Sequence, residues 1–201
     1  MNESFNYKTV KHEGESLFKD KNSKFYGYIF PIETEDDIKR HIEILRQKHP
    51  KARHVCYAYR LGVNGETERA NDDGEPNGSA GLPILNQLKS FDITNVIGLV
   101  VRYFGGTKLG VSGLIHAYKE ATLLAIDNTA VVEKDLFSYF SIKTDYEHAN
   151  HVFQLIGKFE GKIIEQTYLK ESLFKIEIPL RLKLQFLLEA STFHVLDIEE
   201  E

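Results

Sequence analysis

The sequence predicts an α+β protein built from two domains, and three observations carry that prediction. Short runs rich in Tyr, Phe, Ile and Val recur between residues 7 and 103 and alternate with helical patterns, so strands and helices share a core there. After residue 133 the order becomes strand, helix, strand, strand, helix, strand in fewer than seventy residues. A chain of 201 residues with 42% hydrophobic residues is long enough for one large core or two small ones.

The elements follow in order. Tyr7–Val10, Leu17–Phe18 and Lys24–Ile32 read as opening strands, separated by Gly14 and the polar Asp20–Ser23. Thr34 then precedes a helix with Ile38, Ile42 and Leu45 on one face. Its first turn is acidic (Glu35, Asp36, Asp37), and Lys48-His49 precede the stop at Pro50. Arg53–Leu61 alternates as a strand, Gly62–Gly65 turns, and Glu66–Ala70 completes a hairpin. Pro83–Leu88 is a short helix and Asn95–Tyr103 a central strand. Leu109–Asn128 is a long helix with Leu114, Ala117, Ala121, Leu124 and Ala125 on its apolar side. The first domain is expected to span residues 1–133 and to fold alone.

Residues 134–201 then read as strand Leu136–Thr144, helix Tyr146–Phe159, strand Lys162–Leu169, strand Leu173–Leu180, helix Leu182–Ala190 and strand Phe193–Ile198. That βαββαβ order matches the split βαβ, or ferredoxin-like, sandwich. This half is the more acidic, with 8 basic against 12 acidic side chains, where residues 1–133 carry 17 and 18. The net charge of −5 argues against a protein that coats nucleic acid by bulk electrostatics, so any such contact must be local. One cysteine, Cys56, forms no internal disulfide. The first thirty residues lack a secretory pattern and no apolar run is long enough to span a membrane, so a cytoplasmic protein is expected.

Two glycine-bearing loops concentrate the chemistry. The first is Asn71–Gly81, with Asp72, Asp73 and Glu75. The second follows the strand ending at Arg102-Tyr103-Phe104 and holds Gly105, Gly106, Thr107, Lys108, Gly110, Ser112 and Gly113 ahead of the long helix. Glycines there let backbone N–H groups converge at a helix start, which suits an anion, with Arg102 and Lys108 supplying charge. The alternative is a tight turn with one glycine at positive φ. There is no Walker loop and no dinucleotide fingerprint. Asp72, Asp73 and Glu75 either hold a divalent cation such as magnesium or form a turn with side-chain-to-backbone bonds; beside an anion they must turn away, pair with Arg102 or Lys108, or hold that cation, and no cofactor is otherwise expected. His54 and Cys56 share a strand face and read as a satisfied histidine beside a buried thiol rather than a catalytic pair. His148 and His151 read as surface residues. Local basic clusters are Lys19, Lys21 and Lys24; Lys48, Lys51 and Arg53; and Arg102 with Lys108. Among aromatics that stack on bases, Tyr57 and Tyr59 read as sheet packing, Phe104 as core, and Tyr103 is left open.

Asp72–Leu85 followed by Val100–Gly110 closely resembles the signature of the Impact/YigZ family, with echoes at Ser23-Lys24-Phe25 and Arg53–Arg60. The resemblance is strong over residues 17 to 128. Departures are Asn77, Ser79 and His116, the last standing where an arginine is common. The resemblance implies an N-terminal domain like domain two of ribosomal protein S-five and a ferredoxin-like C-terminal domain like the last domain of elongation factor G. It also implies a role in regulating translation. The expected function is therefore to bind RNA, the ribosome or a translation-regulatory protein, with binding favoured over catalysis. Two alternatives stay open: a phosphate-directed enzyme, either a metal-dependent hydrolase or kinase-like through Gly110–Gly113, and a purely protein-binding regulator. The sequence leaves the oligomeric state open.

Overall fold

A strand run with no polar interruption from Val96 to Val101 can be satisfied only in the middle of a sheet covered on both faces. In the structure, a computed structural model describing residues 5–168 and 171–201, this run is the centre of a five-stranded antiparallel sheet. The chain divides into two units, Tyr7–Lys134 and a second that joins the residues up to Asn6 with Asp135–Glu201.

In the first unit β2 (Gly14–Asp20), β3 (Ser23–Pro31), β4 (His54–Leu61), β5 (Thr67–Asn71) and β6 (Val96–Tyr103) lie in the order β2-β3-β6-β4-β5. The polar turn between β2 and β3 puts both Lys21 and Asn22 at positive φ, the turn a tight hairpin needs. One face buries Tyr28, Phe30, Val55, Tyr59, Ile97, Leu99 and Val101 with α1 (Glu35–Lys48). Thr34 and Asp37 close that helix with a reciprocal capping box. The other face buries Phe25, Cys56, Ala58 and Val100 under α2 (Gly81–Ser90) and α3 (Gly110–Asp127).

The second unit carries β8 (Phe137–Thr144), α4 (Ala149–Lys158), β9 (Lys162–Tyr168), β10 (Ser172–Pro179), α5 (Lys183–Ala190) and β11 (Asp197–Glu200), with sheet order β11-β8-β10-β9. Phe140, Ile142, Phe174, Ile176 and Ile178 pack in one cluster with Val152 and Leu155 of α4 and Phe186 of α5, so both helices cover one face.

Three local expectations change. Residues 131–135, to which the sequence pattern assigns no element, form β7 (Val131–Asp135), which pairs with β1 (Asn6–Val10) in a separate two-stranded sheet. The last strand begins at Asp197, because Phe193 and Leu196 bury their side chains against the core from turns rather than from a ladder. Tyr146–His148 and Leu180–Leu182, expected as helix and strand termini, are single 3₁₀ turns. Leu169, expected to end β9, lies outside the described residues.

Candidate functional site

The acidic loop after β5 is a turn whose carboxylates are spent on backbone. Asp72 accepts from the N–H groups of Gly78, Ala80 and Gly81 at 2.8, 2.9 and 2.9 Å, which caps the start of α2 from outside the helix. Asp73 accepts the Val55 N–H at 2.7 Å and pairs with Arg46 at 2.9 Å, while Asn71 accepts the Asp73 N–H at 2.8 Å. Asp72 and Asp73 thus carry out the turn chemistry of the second reading given above. Among the described residues no three His, Cys, Asp or Glu side chains converge as a metal-ligand set.

Glu75 does something different. The β-register sets Arg102 of β6 opposite Phe25 of β3 and His54 of β4. From there Arg102 Nη1 reaches Glu75 Oε1 at 2.6 Å, with side chains only 9% and 4% exposed. Tyr118 of α3 donates its hydroxyl to the same oxygen at 2.9 Å. A buried pair of this kind holds only if its remaining polar atoms are supplied, and Arg102 Nε has no partner among the described residues. The guanidinium also lies 5.6 Å from the ring centroids of Phe25 and Phe104. Of the options open for the acidic loop, Glu75 thus takes the pairing with Arg102, whose charge it largely meets.

Behind this pair the Cys56 thiol donates to the Asp72 carbonyl at 3.0 Å and lies 3.3 Å from the Tyr118 hydroxyl. Burial pushes both the Cys56 thiol and the Tyr118 phenol well above their ordinary ranges, so both stay protonated. His54 Nδ1 meets the Asp73 carbonyl at 2.8 Å, not the thiol. Both side chains thus bond carbonyls of the acidic loop rather than each other.

In front of the pair opens a cleft of about 850 Å³. Its wall includes Lys51, Arg53, Arg102, Phe104, Lys108 and Gly110. Gly110 is the first residue of α3. Leu109 at the cap position makes no side-chain bond to the first turn, which also has no acidic residue, so the N–H groups there keep their partial positive charge. Lys51, Arg53 and Lys108 are exposed, with no ion-pair partner among the described residues. Gly106 takes φ +90°, the left-handed turn expected at one of the two glycines. Gly105 is needed for another reason: a Cβ there would sit 2.0 Å from the Asn22 carbonyl carbon.

The cleft unites two basic clusters that are half the domain apart in sequence, and leaves out others. Lys48 pairs with Glu15 over the Tyr28 ring, and Lys19, Lys21 and Lys24 stay on the β2–β3 hairpin. Ser112, Gly105, Gly106 and Gly113 are not in its wall. Phe104, expected in the core, is 58% exposed, whereas Tyr59 is buried and Tyr57 packs beside α1. The Tyr103 hydroxyl bonds His49 Nδ1 at 3.0 Å. His148 and His151, expected on the surface, are half-buried and stacked at 6.1 Å. No local pattern marks Lys51 and Arg53 as neighbours of Lys108, since that proximity is set by β4 lying beside β6.

A family model described as the Impact N-terminal domain matches residues 21–126. IMPACT family member YvyE of Bacillus subtilis (strain 168) is 36% identical over 163 residues, or 81% of this chain and 72% of that protein. IMPACT family member YigZ of Escherichia coli (strain K12) is 31% identical over 79% of each chain. Protein IMPACT of Danio rerio is 33% identical over 53% of this chain and 34% of its own. A crystal structure described as that of a hypothetical protein superposes with a TM-score of 0.74 at 27% identity, covering 98% of this chain and 100% of that one. No helix among the described residues is long and apolar enough to cross a membrane.

Proposed function

The chain belongs to the Impact family, and on that premise we propose that it is an RNA-binding protein of the translation apparatus that grips phosphate in the cleft at the start of α3. The carrying observation is the convergence of three cations, Lys51, Arg53 and Lys108, with no ion-pair partner among the described residues, on a helix N-terminus without a side-chain cap, beside a buried arginine whose Nε also has no partner among them. A phosphate there would take N–H groups from the first turn of α3 and point charges from the lysines. Arg53 can bind it through two nitrogens. Such contacts fix position without reading bases, which suits a protein of net negative charge with a local site. The regulatory role and a cytoplasmic location belong to the same proposal. So do the finer folds: Tyr7–Lys134 as the domain-two fold of ribosomal protein S-five, and the β11-β8-β10-β9 sheet as ferredoxin-like.

The test is the triple variant Lys51→Ala, Arg53→Ala, Lys108→Ala, titrated with a short single-stranded RNA across a salt series. Each lost phosphate contact should lower the slope of log affinity against log salt by about 0.7, so a loss of about two is expected with a clear fall in affinity. An unchanged slope in the folded variant would remove the cleft as the RNA site and favour a protein partner.

A further inference from the structure

Phe104 is out of place for a phenylalanine of this unit. Phe25 and Phe30 are buried in the two sheet faces, whereas Phe104 is exposed, belongs to no apolar cluster among the described residues and lines the cationic cleft. The backbone beside it is tightly held. Gly105 donates its N–H to the Ser23 hydroxyl at 3.0 Å, and the loop there presses so closely on Asn22 that no side chain fits. The ring rests against the Arg102 guanidinium, itself held by Glu75 and by Phe25. An exposed aromatic ring, backed by a paired cation and facing a cleft of nucleotide size, is the arrangement on which an unpaired base stacks.

We infer that the RNA taken by this cleft is single-stranded and that one of its bases stacks on Phe104 while an adjoining phosphate sits at the α3 N-terminus. This rests on the phosphate-binding function proposed above. Bases inside an A-form duplex are already stacked on each other and shielded by their groove, so a duplex can offer phosphate but no ring face. Pro76, Val111 and Leu114 supply apolar wall beside the ring, which a base tolerates and a bare phosphate does not need. Stacking is indifferent to base identity, so binding should be largely sequence-tolerant.

The experiment uses the full chain with Phe104→Leu and Phe104→Trp, single-stranded RNA of about ten nucleotides and the same sequence as a duplex. The protein has no tryptophan, so Phe104→Trp installs a single reporter at the platform. Phe104→Leu should weaken single-strand binding about tenfold or more while keeping the native salt slope and the native affinity for duplex. Phe104→Trp should bind like the native chain and lose emission on saturation with single strand. Native affinity in Phe104→Leu, unchanged Trp emission at saturation, or equal affinity for duplex and single strand would each overturn the stacking role. Should those results come with a salt slope that the triple cation variant lowers, phosphate binding stands and only the stacking fails; a slope the triple variant leaves unchanged removes the underlying site.

Discussion

The two units differ in what they leave unpaired: both pair cations at the surface, but among the described residues only the first also keeps a cluster of them free around a cleft. After Lys134 each of the described lysines and arginines, Lys143, Lys158, Lys162, Lys175, Arg181 and Lys183, sits in an ion pair at the surface. In the Tyr7–Lys134 unit, by contrast, one arginine is buried against Glu75, and the three cations around the cleft have no pair among the described residues. Exposed pairs add little stability, so pairing in the second unit mainly cancels its field. Unpaired cations in a concave wall do the reverse, because low-dielectric surroundings focus their field on whatever enters. That difference is the ground on which the binding site is proposed in the first unit.

Breaking the buried pair should give the largest effect. Arg102→Ala leaves the Glu75 carboxylate buried with only the Tyr118 hydroxyl, which should cost about 3–5 kcal/mol in urea unfolding. Lys143→Ala, which breaks an exposed pair in the other unit, should leave the midpoint where it was. Equal losses from the two variants would dissolve the contrast. The buried pair is also a matter of placement, so Glu75→Gln should be tolerated better than Arg102→Ala, because the amide still accepts from both partners.

Glycines sharpen the same comparison at smaller amplitude. Gly105→Ala should destabilise strongly, since its Cβ collides with the backbone of Asn22 and Ser23 and neither can retreat. Gly157 of α4 in the second unit has open space around its absent Cβ and no positive φ, so Gly157→Ala should stabilise by about 0.5–1 kcal/mol through helix propensity. Thermal melting of both variants measures the pair. A destabilising Gly157→Ala would mean that the helix surface is in contact with something not described by its neighbours.

The smallest expected effect is a pH dependence carried by His49 in the first unit. His49 joins the hydroxyls of Tyr28 and Tyr103 at 2.8 and 3.0 Å, and burial, with Lys48 alongside, holds its pKa below the usual histidine value. The folded state therefore binds fewer protons than the unfolded chain below the unfolded pKa of about 6.5. Its contribution is fully present above that pH and declines as pH falls through it, levelling off below the folded value. Unfolding followed from pH 8 to 5 should show this decline, and His49→Gln should flatten it. A decline of the same size in His49→Gln would assign it to other groups, His41 first, whose pKa burial also lowers.

Much of the architecture was legible because it is local. The unbroken run Val96–Val101 could only be a central strand, Thr34 with Asp37 could only start a helix, and the pattern after residue 134 placed its strands and helices in order. The glycine at positive φ after β6 followed from the need to turn sharply. These features depend on neighbours a few residues apart, and residue type carries that information. The strand β7 escaped notice because Val131–Asp135 is mostly exposed, and its partner β1 lies over a hundred residues away.

The site was decided at longer range. Sequence alone determined that Arg102, Lys108 and the acidic loop stand near glycine turns, and it identified the residue types an anion would want. Only the tertiary structure could match Glu75 with Arg102, because that pairing depends on β3, β6 and β4 lying side by side and on the loop after β5 folding back over them. The same strand order carried Lys51 and Arg53 to Lys108 and left Phe104 in the cleft wall rather than the core. The physical reason is that burial and charge pairing are properties of the space around a side chain, and strand order fills that space with residues that sequence neighbours do not specify.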